Sequence, residues 1–154
     1  MKMTISVDLQ NDAGLPGVPG QKLFFRWVES SLQQSFAEFE QTIRIVDAVE
    51  SESLNRQFRG KEHATNVLSF PSDSDLLDYD CIGDLVICAP VVLDEADKQN
   101  KAVESHWAHM VVHGMLHLQG FDHQDDNEAG QMEALEIQIL STLGYSNPYN
   151  ENYD

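Results

Sequence analysis

The sequence predicts a single domain in which a small sheet of about four strands is flanked by helices. Three observations carry that expectation. Segments of period-two hydrophobicity alternate with segments of helical spacing. No internal repeat and no Ser/Gly/Pro-rich linker divides the chain. A length of 154 residues, 42% of them hydrophobic, suffices for one ordinary core. Residues 1–154 are therefore read as one unit.

The first expected strand is residues 4–9 (TISVDL), where branched apolar and polar side chains alternate. Residues 21–36 then show helical spacing, with Leu23, Val28, Leu32 and Phe36 as candidate core contacts. Residues 42–46 (TIRIV) alternate again as a second strand, and residues 48–58 return to helical spacing. Two short runs bounded by breakers complete the strands: 66–70 (NVLSF) before Pro71, and 84–88 (DLVIC) between Gly83 and Pro90. Helices are expected at 91–100, 104–118 and 127–143. The last puts Met132, Leu135, Ile139 and Leu143 on one stripe before Gly144 stops it, and reads as a brace over the core. The acidic run 73–80 (DSDLLDYD) reads as a loop and the tail after Pro148 as a frayed end.

Nine Lys and Arg against 26 Asp and Glu give a formal charge of −17, which opposes any generic affinity for nucleic acid. Substantial hydrophobicity with 23% charged residues excludes wholesale disorder. The longest uncharged apolar run, residues 85–93, falls well short of the roughly 20 residues a bilayer span requires, so no membrane partner is expected. The opening MKMTISVDLQ reaches Asp8 before any apolar stretch of signal-peptide length, so a cytoplasmic location is expected. Cys81 and Cys88 are expected as reduced thiols, not as a disulfide framework. Arg56, Arg59 and Lys61 form the one basic cluster, which taken alone reads as a solvated loop.

Histidines are the conspicuous feature. Of His63, His106, His109, His113, His117 and His123, five fall within 18 residues. On a helix, His113 and His117 are one turn apart on one face and can point at a single ion. Gly120 is placed to end that helix in a left-handed residue and return His123 toward the same face. Zinc held by three neutral imidazoles keeps a fourth position for water and its full double charge, the arrangement of a hydrolytic site rather than a structural one. The bland alternative, half-buried histidines bonded to backbone or water, leaves this spacing unexplained. His109 continues the stripe but sits about 12 Å from His117 along the axis, too far to share an ion, and is read as core or as a hydrogen-bond partner of a ligand or carboxylate. His113, His117, Gly120 and His123 match the longer metalloprotease pattern, whereas the position of that pattern's general-base glutamate is Gly114.

These residues resemble the YbeY family of bacterial endoribonucleases. The metal signature is HGMLHLQGFDH at 113–123, preceded by HWAHMVV; LNRQFRGK at 54–61, TNVLSFP at 65–71 and IGDLVI at 82–87 resemble the family's other blocks in the same order. The likeness is strong over residues 40–145 and looser at the N-terminal strand. Asn66 stands where many members have Asp. The resemblance implies an α+β fold with a zincin-like metal helix and one zinc per chain on His113, His117 and His123. It also implies single-strand-specific RNA hydrolysis in ribosomal RNA processing, at the 3′ end of small-subunit RNA, and in ribosome quality control. A functional arginine maps onto Arg59, for phosphate binding or stabilisation of charge developing there, with Arg56 and Lys61 as tentative substrate contacts. The expected partners are precursor ribosomal RNA and, given the acidic charge, ribosomal proteins or the small ribosomal subunit to position the chain. Two alternatives remain open at this level: a non-catalytic ribosome assembly factor with a structural zinc, and a zincin-like metallopeptidase.

Overall fold

The computed structural model describes residues 4–72, 82–122 and 125–149. The acidic run 73–80, Cys81, His123 and the end of the tail lie outside the described residues. Nine elements follow in the order β1 (Thr4–Gln10), α1 (Gln21–Ser31), β2 (Glu38–Val46), α2 (Ala48–Arg59), β3 (Val67–Pro71), β4 (Gly83–Cys88), α3 (Ala89–Lys98), α4 (Val103–Leu118) and α5 (Asp126–Leu143). They form an α+β fold with one mixed sheet in the order β1-β2-β4-β3. β1 and β2 run parallel, as do β2 and β4, each pair joined through a crossover that includes a helix. β3 pairs antiparallel with β4, Ser69 opposite Leu85, and forms one edge.

Period-two alternation sorts β2 into two faces. Phe39, Gln41, Ile43 and Ile45 point one way, and Val46 the other. The first face joins Leu85 and Ile87 in the main core, covered by α1 and α4, with α5 packed outside α4. Leu68, Val86 and Cys88 form a smaller core with Val46 under α2, where Leu54 packs against them. Asp47 caps α2 by accepting from the Glu50 amide, and Arg44 of β2 pairs with Glu50.

Helix α1 stops at Ser31, short of the expected residue 36, because Leu32 is already extended. β2 starts earlier than expected because EFEQ already alternates acid out and core residue in. The centre of the α1 stripe is Phe24, Trp27 and Val28, with Leu23 and Leu32 at its margin. In α5 the stripe centres on Met132, Glu136, Ile139 and Leu140, leaving Leu135 and Leu143 half-buried. Among the described residues no helix is long and apolar enough to cross a membrane.

Candidate active site

The site is built on α4, and Gly114 decides how closely that helix lies on the sheet. A Cβ at this position would sit 2.6 Å from Leu85 Cδ2 and 3.3 Å from Val67 Cγ2. Helix and sheet therefore meet through a missing side chain. The Ser69 hydroxyl of β3 donates to the Gly114 carbonyl at 3.3 Å, tying edge strand to helix.

At its C-terminus α4 ends as its sequence predicts. Gly120 has φ +99°, the Phe121 amide donates to Leu116 O at 3.0 Å and the Gly120 amide to His117 O at 3.0 Å. This paired closure satisfies the last-turn carbonyls and reverses the chain immediately before residue 123. The Gln119 side chain secures the end by accepting from the Gln33 amide and donating to Ser31 O, both at 2.8 Å.

His113 and His117 face each other at this end. Their Nε2 atoms are 3.1 Å apart and both rings line a cleft of about 470 Å³. Arg59, Asn66, Ser69 and Asp122 line the same cleft. Arg59 comes from the last turn of α2 and donates from Nη2 to Ser69 O across the sheet edge, at 3.1 Å. The structure thus brings together three of the residues singled out from sequence. Arg56 and Lys61 are exposed and not among the residues lining the cleft; Arg56 Nη1 lies 3.8 Å from Glu52.

Behind the histidine pair is a carboxylate. Glu136 of α5 is fully buried, and its Oε2 takes hydrogen bonds from His113 Nδ1 at 3.0 Å and His109 Nε2 at 2.9 Å. Its Oε1 accepts from the Tyr149 hydroxyl at 2.6 Å. Burial alone would raise this carboxyl's pKa, but the bonds from His109 and His113 more than offset it, leaving it lowered to about 2. Burial likewise lowers the pKa of His109, and burial with the bond to Glu136 raises that of Tyr149, so the phenol keeps its proton.

This charge pattern assigns a tautomer. An ionised carboxylate only accepts, so His113 carries a proton on Nδ1, and the Nδ1–H tautomer presents an Nε2 lone pair toward His117. The Nε2 spacing of 3.1 Å is close to the roughly 3.3 Å between neighbouring ligands of tetrahedral zinc with Zn–N of about 2.0–2.1 Å. The two nitrogens are therefore spaced as ligands of one metal ion. His109, His113 and Glu136 each also bring a ligand atom within 4.8 Å of the others, and this group too could hold a metal ion. His109 is a partner of a carboxylate, as its position on the stripe suggests.

Beside the cleft, Asn66 donates to Glu95 at 3.0 Å, and His106 Nε2 bonds the same carboxylate at 2.9 Å. An amide at residue 66 supplies a donor that an aspartate would lack, which accounts for Asn at this position.

Glu136 and Tyr149 were not legible from motif spacing. Glu136 had one signal: it falls four residues after Met132 and three before Ile139, a carboxylate on an apolar helical face.

Converging imidazole nitrogens backed by a buried carboxylate, with an arginine lining the same cleft, could hold a metal ion, an arrangement compatible with a metal-dependent hydrolase. The family model described as endoribonuclease YbeY matches residues 10–144. The chain is 51% identical over 150 residues to the endoribonuclease YbeY of Pseudomonas entomophila, spanning 96% of this chain and 95% of that protein. It is 52% identical to the corresponding protein of Pseudomonas savastanoi pv. phaseolicola, over 96% of this chain and 90% of that one. A Thermotoga maritima protein solved in solution shares the fold, with a TM-score of 0.53 at 22% identity over 97% of this chain and 99% of that one. The chain belongs to the endoribonuclease YbeY family.

Proposed function

We propose that this chain is a zinc-dependent endoribonuclease that cuts single-stranded ribosomal RNA precursors. In this reading it acts in the cytoplasm, at the 3′ end of small-subunit RNA and in ribosome quality control. The observation that carries the reading is the Nε2 pair of His113 and His117, 3.1 Å apart in the cleft that Arg59 also lines. His113, His117 and His123 hold the ion. Zinc bound there supplies positive charge toward a phosphoryl oxygen and lowers the pKa of a neighbouring water.

The chain's own residues do the rest. Glu136 fixes His113 as its Nδ1–H tautomer. Arg59 turns its guanidinium from Ser69 O to the scissile phosphate, where paired N–H donors match the developing charge. Arg56 and Lys61, on the exposed surface of the same segment, meet the RNA backbone farther from the cut. A formal charge of −17 makes binding to free RNA weak and salt-sensitive, so ribosomal proteins or the small subunit position the enzyme.

The test is metal content by mass spectrometry together with cleavage of single-stranded RNA, on wild type, His117→Ala and His109→Ala purified identically. About one zinc per chain with RNA cleavage in wild type, both lost in His117→Ala, is the expected result. Zinc lost from His109→Ala but kept by His117→Ala would place the ion in the His109–His113–Glu136 group instead. Wild type that holds zinc and cuts nothing would favour the assembly-factor reading.

A further inference from the structure

We infer that Tyr149 is a positioning residue for the metal centre: its hydroxyl locks the Glu136 carboxylate in the orientation that presents His113 Nε2 to the cleft. The inference rests on the reading of His113 as a ligand, but the lock itself is a matter of geometry.

Glu136 has two oxygens and three donors. Oε2 takes both imidazoles, at 2.9 and 3.0 Å, and Oε1 takes Tyr149 at 2.6 Å. Without the phenol, Oε1 is a buried anionic oxygen that has lost its hydrogen-bond donor, and rotation about the last side-chain bond becomes the carboxylate's route to other donors. Rotation breaks the bifurcated grip on Oε2, and His113 then loses the acceptor that holds its proton on Nδ1. Tyr149 also bonds His109 Nε2 at 3.2 Å and lies edge-on to the His109 ring, centroids 5.3 Å apart, so it braces that imidazole as well as the carboxylate.

The segment that carries Tyr149 is built to deliver it. Helix α5 ends at Gly144, with φ +95°, and the Tyr145 amide donates to Leu140 O at 2.8 Å. The chain turns back at this point. Tyr145 is anchored by donating to Glu104 at 2.6 Å and accepting from Trp27 Nε1 at 3.2 Å. Four residues later Tyr149 reaches Glu136, 13 positions away in sequence, with its own amide bonded to Asn147 Oδ1 at 2.8 Å.

Tyr149→Phe keeps the ring and removes the hydroxyl, and it is read in two ways. Nitrogen-15 NMR of the metal-free protein should show His113 protonated on Nδ1 in wild type and a mixture of tautomers in the variant. Competition with a chromophoric chelator should show zinc bound about tenfold more weakly by the variant, the scale of loss typical for a group that orients a ligand from behind. His117→Ala runs alongside as the reference. If His117→Ala binds zinc as wild type does, the reading of the metal ligands fails. If His117→Ala loses zinc while Tyr149→Phe keeps both the affinity and the Nδ1–H tautomer, the positioning role is overturned. A packing role for the ring alone moves neither observable.

Discussion

Replacing Gly114 by alanine sets two opposed terms against each other. Alanine in a helix interior is favoured over glycine by about 1 kcal/mol. The added methyl, however, would lie 2.6 Å from Leu85 Cδ2, against roughly 3.5–4.0 Å for an ordinary carbon contact, so the interface must open by about 1 Å. Leu85 is fully buried, so its methyl can shift only within the core, and Val67 Cγ2 at 3.3 Å crowds the same position. Overpacking of this kind costs about 1–3 kcal/mol, and the net effect is a destabilisation of about 1 kcal/mol. Urea unfolding of metal-depleted protein should show a lower midpoint at unchanged slope. The structural cause is checked in a Leu85→Ala background. Truncation alone costs about 2–5 kcal/mol, but there the alanine at residue 114 enters vacated space and becomes stabilising, a coupling of at least about 1 kcal/mol. Gly114→Ala more stable than wild type, with additive behaviour in the double variant, would refute the close-approach argument.

Three further outcomes follow from the same geometry. Arg59→Ala should lower RNA cleavage by about a hundredfold with unaltered zinc content and melting, since the side chain is exposed and bonds a carbonyl at the sheet edge; parallel losses in cleavage and melting would make it structural. Gly120→Ala should cost about 1 kcal/mol in thermal unfolding although nothing lies within 4 Å of the added Cβ, because the penalty comes from φ +99° alone. Burial tends to raise the Glu95 pKa, but the bonds from His106 and Asn66 prevail and lower it. Its contribution is therefore present above the ordinary Glu value and lost as pH falls through the lower folded value. Asn66→Asp removes a donor and adds a like charge, so its deficit of about 1–2 kcal/mol at neutral pH should shrink below about pH 4. A deficit that stays constant with pH would rule out the carboxylate as its source.

The sequence was most informative where one element carries the signal. His113 and His117 could be paired because a single helical turn relates them, and Gly120 and Gly144 were readable as stops because a left-handed residue is a local requirement. Strand positions were visible for the same reason, through alternation in TIRIV and DLVIC. Strand order was not, because the parallel pairing of β2 with β4 is a choice among crossovers that no single segment encodes. Glu136 lies 23 positions from His113, and only tertiary packing of α5 on α4 makes them neighbours. Tyr149 lies farther still, in a tail that composition marks as frayed, and its placement depends on Tyr145 finding Trp27 and Glu104. Arg59 was singled out by resemblance; its reach over the β3 edge into the cleft needed coordinates.

The placement of α4 also has a meaning for synthesis. All four strands lie before residue 89, whereas α4, which packs on β3 and β4 and shares the core with Leu85 and Ile87, begins at residue 103. A nascent chain emerging N-terminus first, at about 5–20 residues per second, therefore exposes sheet-forming segments for seconds before their cover arrives. The histidine helix is thus a late-arriving second half of the lid on the hydrophobic face, and chains interrupted after α3 are left with a sheet covered on that face by α1 alone.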